Sequence, residues 1–115
     1  GVTVSEALKA QEELKIKGID VRVVDIHTIK PIDEEIIIKA AKETKAIVTA
    51  EEHSIIGGLG SAVAEVVTEN CPVIVKKVGI NDCFGESGKP NELLVRYGLT
   101  AENIVKNVKE AIKLK

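Results

Sequence analysis

Short β-branched runs alternate with amphipathic stretches along this chain, and that alternation is what most limits how it can fold. Asp20–Ile26 (DVRVVDI), Lys45–Glu51 (KAIVTAE) and Pro72–Val78 (PVIVKKV) each read as a strand bounded by Gly, Pro or charged residues. The segments between them carry helical periodicity. Strands fed by helices require crossover connections, which give a mainly parallel sheet covered on both faces. The expectation is one α/β domain over residues 1–115, layered α/β/α, with right-handed crossovers.

The helix signals are local and physical. Thr3 and Glu6 have capping-box spacing, Val4, Ala7, Leu8 and Gln11 share a face, and Gly18 suits the turn that ends a helix over Thr3–Lys17. Pro31 and Asp33 open a second helix with Ile36, Ile37, Ala40 and Ala41 as its apolar stripe. After the Gly57–Gly58–Leu59–Gly60 turn, Leu59, Ala62, Val63, Val66 and Val67 follow helical spacing closely. A loop over Gly79–Pro90, a short helical turn over Asn91–Arg96 with Gly98 as its stop, and a last helix capped by Thr100 complete the pattern. That last helix carries Ile104, Val105, Val108 and Ile112.

Composition removes several function classes. Phe84 and Tyr97 are the only aromatic residues, so bases have almost nothing to stack on, and a net charge of -2 offers no footprint for a phosphate backbone. No apolar run is long enough to span a bilayer. Cys71 and Cys83 lack metal-site spacing and read as two reduced thiols of a cytoplasmic protein.

In an open α/β sheet, ligands bind beyond the carboxyl ends of the strands. Three segments converge there: Asp25–Thr28 with His27, Glu51–His53, and Gly79–Asp82. His27, Glu52, His53 and Asp82 could be imagined as metal ligands, but no ligand spacing supports it. The histidines could serve as acid or base, although contact with loop backbone or a partner domain is the simpler role. Gly57, Gly58 and Gly60 place free N–H groups at a helix start, where an anion could be held. The competing explanation is that small residues let this helix pack close to a strand. Of the pair Glu51–Glu52, one residue reads as a buried cap and the other as a solvated charge. Gly85–Pro90 has neither the spacing nor the hydroxyl residue of a P-loop.

Three separated stretches then carry a resemblance: VRVVDIHTIKPID (Val21–Asp33), AIVTAEEHSIIGGLGSAVAE (Ala46–Glu65) and VGINDCFGESGKPNELLVRYGLTAENI (Val78–Ile104). Together they closely resemble the C-terminal domain of transketolases, in order and spacing. The FGESGKPNELL and YGLTAENI segments favour transketolase over 1-deoxyxylulose-5-phosphate synthase and the 2-oxoacid dehydrogenase beta subunits, which share the domain.

The resemblance implies a non-catalytic C-terminal section of an enzyme of the pentose phosphate pathway that moves two-carbon ketol units between sugar phosphates. Thiamine diphosphate and Mg2+ (or Ca2+) would belong to the complete enzyme, with no catalytic, cofactor or metal residue on this chain. Its partners would be the remaining transketolase domains or an N-terminal section chain, in a homo-oligomer, with neither nucleic acid nor membrane. By the same resemblance, His53 and the Gly57–Gly60 turn face neighbouring domains. Family members carry two strands before Gly1, the second lying between the counterparts of Val21–Ile26 and Ala46–Glu51. The expectation is therefore that the sequence begins mid-domain, and that those two strands pair directly or leave a gap to be filled. A stand-alone anion-binding module and a docking domain for an acyltransferase core are the alternatives.

Overall fold

In the computed structural model, residues 2–26, 31–54, 58–80 and 100–115 are described. The first helix, α1 (Val2–Ile16), ends where the glycine signal places its end. Gly18 takes a left-handed φ of 81°. Its N–H meets the Lys15 carbonyl and the Ile19 N–H reaches back to Leu14, closing the terminus with a Schellman pattern. The N-terminal expectation is corrected: Thr3 lies inside the helix rather than capping it. Glu6 is used elsewhere, its carboxylate accepting from the Ala101 N–H at 3.0 Å.

Asp33 caps α2 (Glu34–Thr44), accepting from the Ile36 N–H. The next residue past that helix, Lys45, adopts a left-handed φ of 63° and closes it by donating to Ala41. Strand β1 (Ala46–Ser54) therefore starts one residue later than expected and runs three residues further. Helix α3 (Leu59–Asn70), strand β2 (Ile74–Ile80) and helix α4 (Ala101–Leu114) follow. Thr100 caps α4 through the Asn103 N–H. The loop expected beyond Ile80, the Asn91–Arg96 turn and the Gly98 stop lie outside the described residues.

β1 and β2 pair in parallel, from Ala46 opposite Ile74 to Glu51 opposite Gly79, with a register break between Glu51 and Ser54. The two-residue alternation of β1 sorts its side chains into two layers. Val48 and Ala50 pack with Val78 against Ala10 and Leu14 of α1 and Ile104, Val105 and Val108 of α4. On the opposite face Ile47 packs with Val75 against Ile37 and Ala41 of α2 and Val63, Val66 and Val67 of α3. The α/β/α layering expected from the sequence is present. Burial is rotated from the sequence stripes at three places, where Leu8, Ile36 and Ile112 are 47, 37 and 40% exposed.

One element is absent. Residues 20–26, expected as a strand, join no ladder among the described residues, whose sheet has the two strands β1 and β2. The reason is that β propensity creates no strand without a partner's N–H and C=O groups in register. Between this segment and Ala46–Glu51 of β1 lies a cavity of about 640 Å³, walled by helices of both layers. Side chains hold the segment instead. Gln11 Nε2 of α1 donates to the Val21 carbonyl at 2.8 Å, and Arg22 pairs with Glu43 of α2. Direct pairing of this segment with β1, one of the two arrangements expected, is not observed.

Candidate functional site

The carboxyl end of β1 and the first turn of α3 form the best-defined polar site among the described residues. Gly58 supplies an extended N-cap with no side-chain oxygen, so the first N–H groups of α3 need an outside acceptor. Glu51 supplies it. Its Oε1 accepts from the Leu59 N–H and its Oε2 from the Gly60 N–H, both at 2.9 Å. The carboxylate is buried, 7% exposed, yet both oxygens are bonded and both face the positive end of the helix dipole.

Gly60 explains how the helix comes so near. A Cβ at this position would lie 2.8 Å from Lys77 Cγ and 2.9 Å from Thr49 Oγ1. Only the lack of a side chain allows α3 to sit this deep on the sheet. Lys77 then reaches over the first turn, its Nζ donating to Ser61 Oγ at 3.4 Å. Thr49 is left in an unusual state: it is 5% exposed and its Oγ1 has no hydrogen-bond partner.

These contacts bear on the anion site suggested by the glycine turn. The Leu59 and Gly60 N–H groups that would hold an anion are already bonded to a carboxylate of the same chain. A diphosphate does not fit beside that carboxylate, which would repel it. Among the described residues, no group of three or more His, Cys, Asp or Glu side chains is placed to hold a metal ion. The same residues contain no helix long and apolar enough to cross a membrane. Cys71, half-buried, is a free thiol.

Of the other candidate residues, His27, Gly57 and Asp82 lie outside the described residues, as does Cys83. Glu52 and His53 fall within β1, in the stretch where its register with β2 breaks, rather than beyond the strand end. Gly58 and Gly60 are brought to Glu51. Sequence reasoning anticipated one buried cap in the Glu51–Glu52 pair, but it missed Thr49. The available signal was strand alternation, which puts Thr49 between Ile47 and Glu51 on one face of β1, the face that α2 and α3 cover.

Comparison with known proteins covers nearly the whole chain. The family "Transketolase, C-terminal domain" matches residues 1–104. A putative transketolase C-terminal section from Methanocaldococcus jannaschii is 54% identical over 114 residues, 98% of this chain and 35% of that protein. A 6-deoxy-6-sulfo-D-fructose transketolase subunit from Clostridium sp. (strain MSTE9) is 50% identical over 115 residues, 100% of this chain and 36% of that protein. A solved structure described as a split gene transketolase, inactive beta4 tetramer, superposes with a TM-score of 0.93 at 54% identity. It is covered to 38% by this chain, all of which is matched. The chain thus spans about a third of the length of these relatives.

Proposed function

The chain belongs to the transketolase C-terminal domain family, and from that premise we propose that it serves a ketol-transferring enzyme by building the enzyme's assembly. The observation that carries this reading is the whole-chain likeness to a split-gene transketolase. In the complete enzyme, thiamine diphosphate with a divalent cation supplies the carbanion-stabilising chemistry that two-carbon transfer needs. Those groups belong on the other domains. The α3 terminus, already bonded to Glu51, suits a packing role better than a ligand-binding one.

The partners are the remaining transketolase domains, on the same polypeptide or as an N-terminal section chain, within a cytoplasmic homo-oligomer. The related solved structure is described as a tetramer and as inactive, which fits a section that assembles without catalysing. His53 and the Gly57–Gly60 turn remain the interface candidates.

The test is reconstitution. The protein is mixed with the transketolase part that carries the thiamine diphosphate motifs. Transfer from a ketose phosphate to an aldose phosphate is then followed with cofactor and Mg2+. Activity is expected only from the mixture, together with a stable complex on size-exclusion chromatography. Activity of this section alone, or failure of the two parts to associate, overturns the proposal. Thermal midpoints unmoved by sulfate, phosphate or nucleotides are expected, and an anion-dependent rise would move the stand-alone sensor ahead.

A further inference from the structure

The contacts at the amino end of α3 do not all favour the position that the helix holds. Glu51 draws it onto the sheet through the Leu59 and Gly60 N–H groups. Lys77 adds a bond to Ser61 Oγ, at the long distance of 3.4 Å. Against these stands Thr49. Its side chain is buried and its Oγ1 has no hydrogen-bond partner among the described residues. A buried hydroxyl without a partner is a cost that the seated helix carries.

The close approach that seats the helix is also what isolates this hydroxyl. A Cβ on Gly60 would lie 2.9 Å from Thr49 Oγ1 and 2.8 Å from Lys77 Cγ, so no group fits between Thr49 and the helix. Lys77 stands opposite Thr49 in the ladder and closes a second side. A strong acceptor does lie on the same face of β1, since Glu51 follows two residues later. Residues so spaced on a strand are about 7 Å apart, a distance that a glutamate side chain covers. In the seated position both oxygens of that carboxylate are given to the helix. Lifting the first turn of α3 opens the space before Thr49 and frees the carboxylate in one motion.

We infer that the amino end of α3 is a two-position latch: seated, Glu51 holds the Leu59 and Gly60 N–H groups, and lifted, the same carboxylate accepts from the Thr49 hydroxyl. Seated is the position observed. The acceptor changes donors instead of losing them, so the turn can yield without stranding a buried charge. That turn belongs to the interface candidate proposed above, and a neighbouring domain would meet it in either position. For this use the inference rests on the interface reading; for its existence it rests on Thr49, Glu51 and Gly60.

Hydrogen exchange in the natural protein that carries these 115 residues tests the latch. Rates at the Leu59 and Gly60 amides are compared with those at Val66 and Val67, deeper in the same helix, for wild type, Thr49→Val and Thr49→Ser. Thr49→Val removes both the cost of seating and the bond of the lifted position. It should slow Leu59 and Gly60 about tenfold relative to Val66 and Val67. Thr49→Ser keeps the hydroxyl and should leave that ratio near the wild-type value. Equal slowing at all four amides would mean that the hydroxyl is unpaired with no second position, which overturns the inference. An unchanged ratio in Thr49→Val overturns it as well. Should Thr49→Val not fold, Thr49→Ala makes the same comparison, because it lacks the hydroxyl and adds no bulk. Failure of reconstitution with the expected exchange pattern intact would overturn the proposed function and leave the latch standing.

Discussion

The two edges of β1 were built by different means. Toward β2, backbone pairs with backbone over most of the strand, in one register from Ala46 to Glu51. Toward residues 20–26, backbone meets a cavity, and that segment is held by Gln11 and by the Arg22–Glu43 pair. The same kind of sequence, short and β-branched, lies on both sides. What differs is the neighbour. A strand is a joint property of two segments, and only one of the two edges has its second segment among the described residues.

The closed side should be hard to disturb and the open side easy, which gives the comparison a direct test. The largest effect is expected from Glu51→Ala. It strands the Leu59 and Gly60 N–H groups and should cost about 3 kcal/mol in urea unfolding. A cost near zero would mean that water replaces the carboxylate and the edge is less closed than described. Gly60→Ala comes next. Its new methyl group would meet Thr49 and Lys77, and the side chain of Lys77 can yield only in part. A loss of about 2 kcal/mol is expected by the same measurement.

On the open side, Gln11→Ala removes one neutral hydrogen bond to Val21 and should cost about 1 kcal/mol. Faster exchange of the amides at 20–26 would accompany it; unchanged exchange would show that the segment is held by something else. The smallest effect concerns pH. The hydrogen bond from Arg22 holds the Glu43 carboxyl below its usual range. That pair therefore contributes stability above the unfolded carboxylate's pKa, and loses it as pH falls through the lower, folded-state value. Both side chains are substantially exposed, so the contribution is screened and small. Glu43→Gln should flatten the acid side of the stability curve slightly, and 1 M salt should mimic it. An undiminished acid slope in the variant would place the titration elsewhere.

These contrasts also mark what was legible in the sequence. Helix termini are written locally, and Gly18, Asp33 and Thr100 each close the helix end that they signal. The layering followed from periodicity, as Val63, Val66 and Val67 show. Lys45 was read as the start of a strand because nothing in its chemistry announces a left-handed backbone. Residues 20–26 carry a strand pattern, but a ladder needs a non-local neighbour, so no local rule could report that they join none among the described residues. At the candidate site, a buried acidic cap was anticipated from the Glu51–Glu52 pair. Its partners were not, because the bonds run eight and nine residues along the chain to a turn whose path depends on packing. Glu6 shows the same limit, since its spacing from Thr3 fits a local box while its carboxylate serves α4.

That bond between Glu6 and Ala101 also sets a timetable. The two residues are 95 positions apart, and the core around Ala10 and Leu14 is completed by Ile104, Val105 and Val108. During synthesis, α1 leaves the ribosome long before the helix that covers it exists. At about 5–20 residues per second it waits several seconds with its apolar side uncovered. For that interval the nascent chain must be kept from other chains, and the domain can lock only when its last helix emerges.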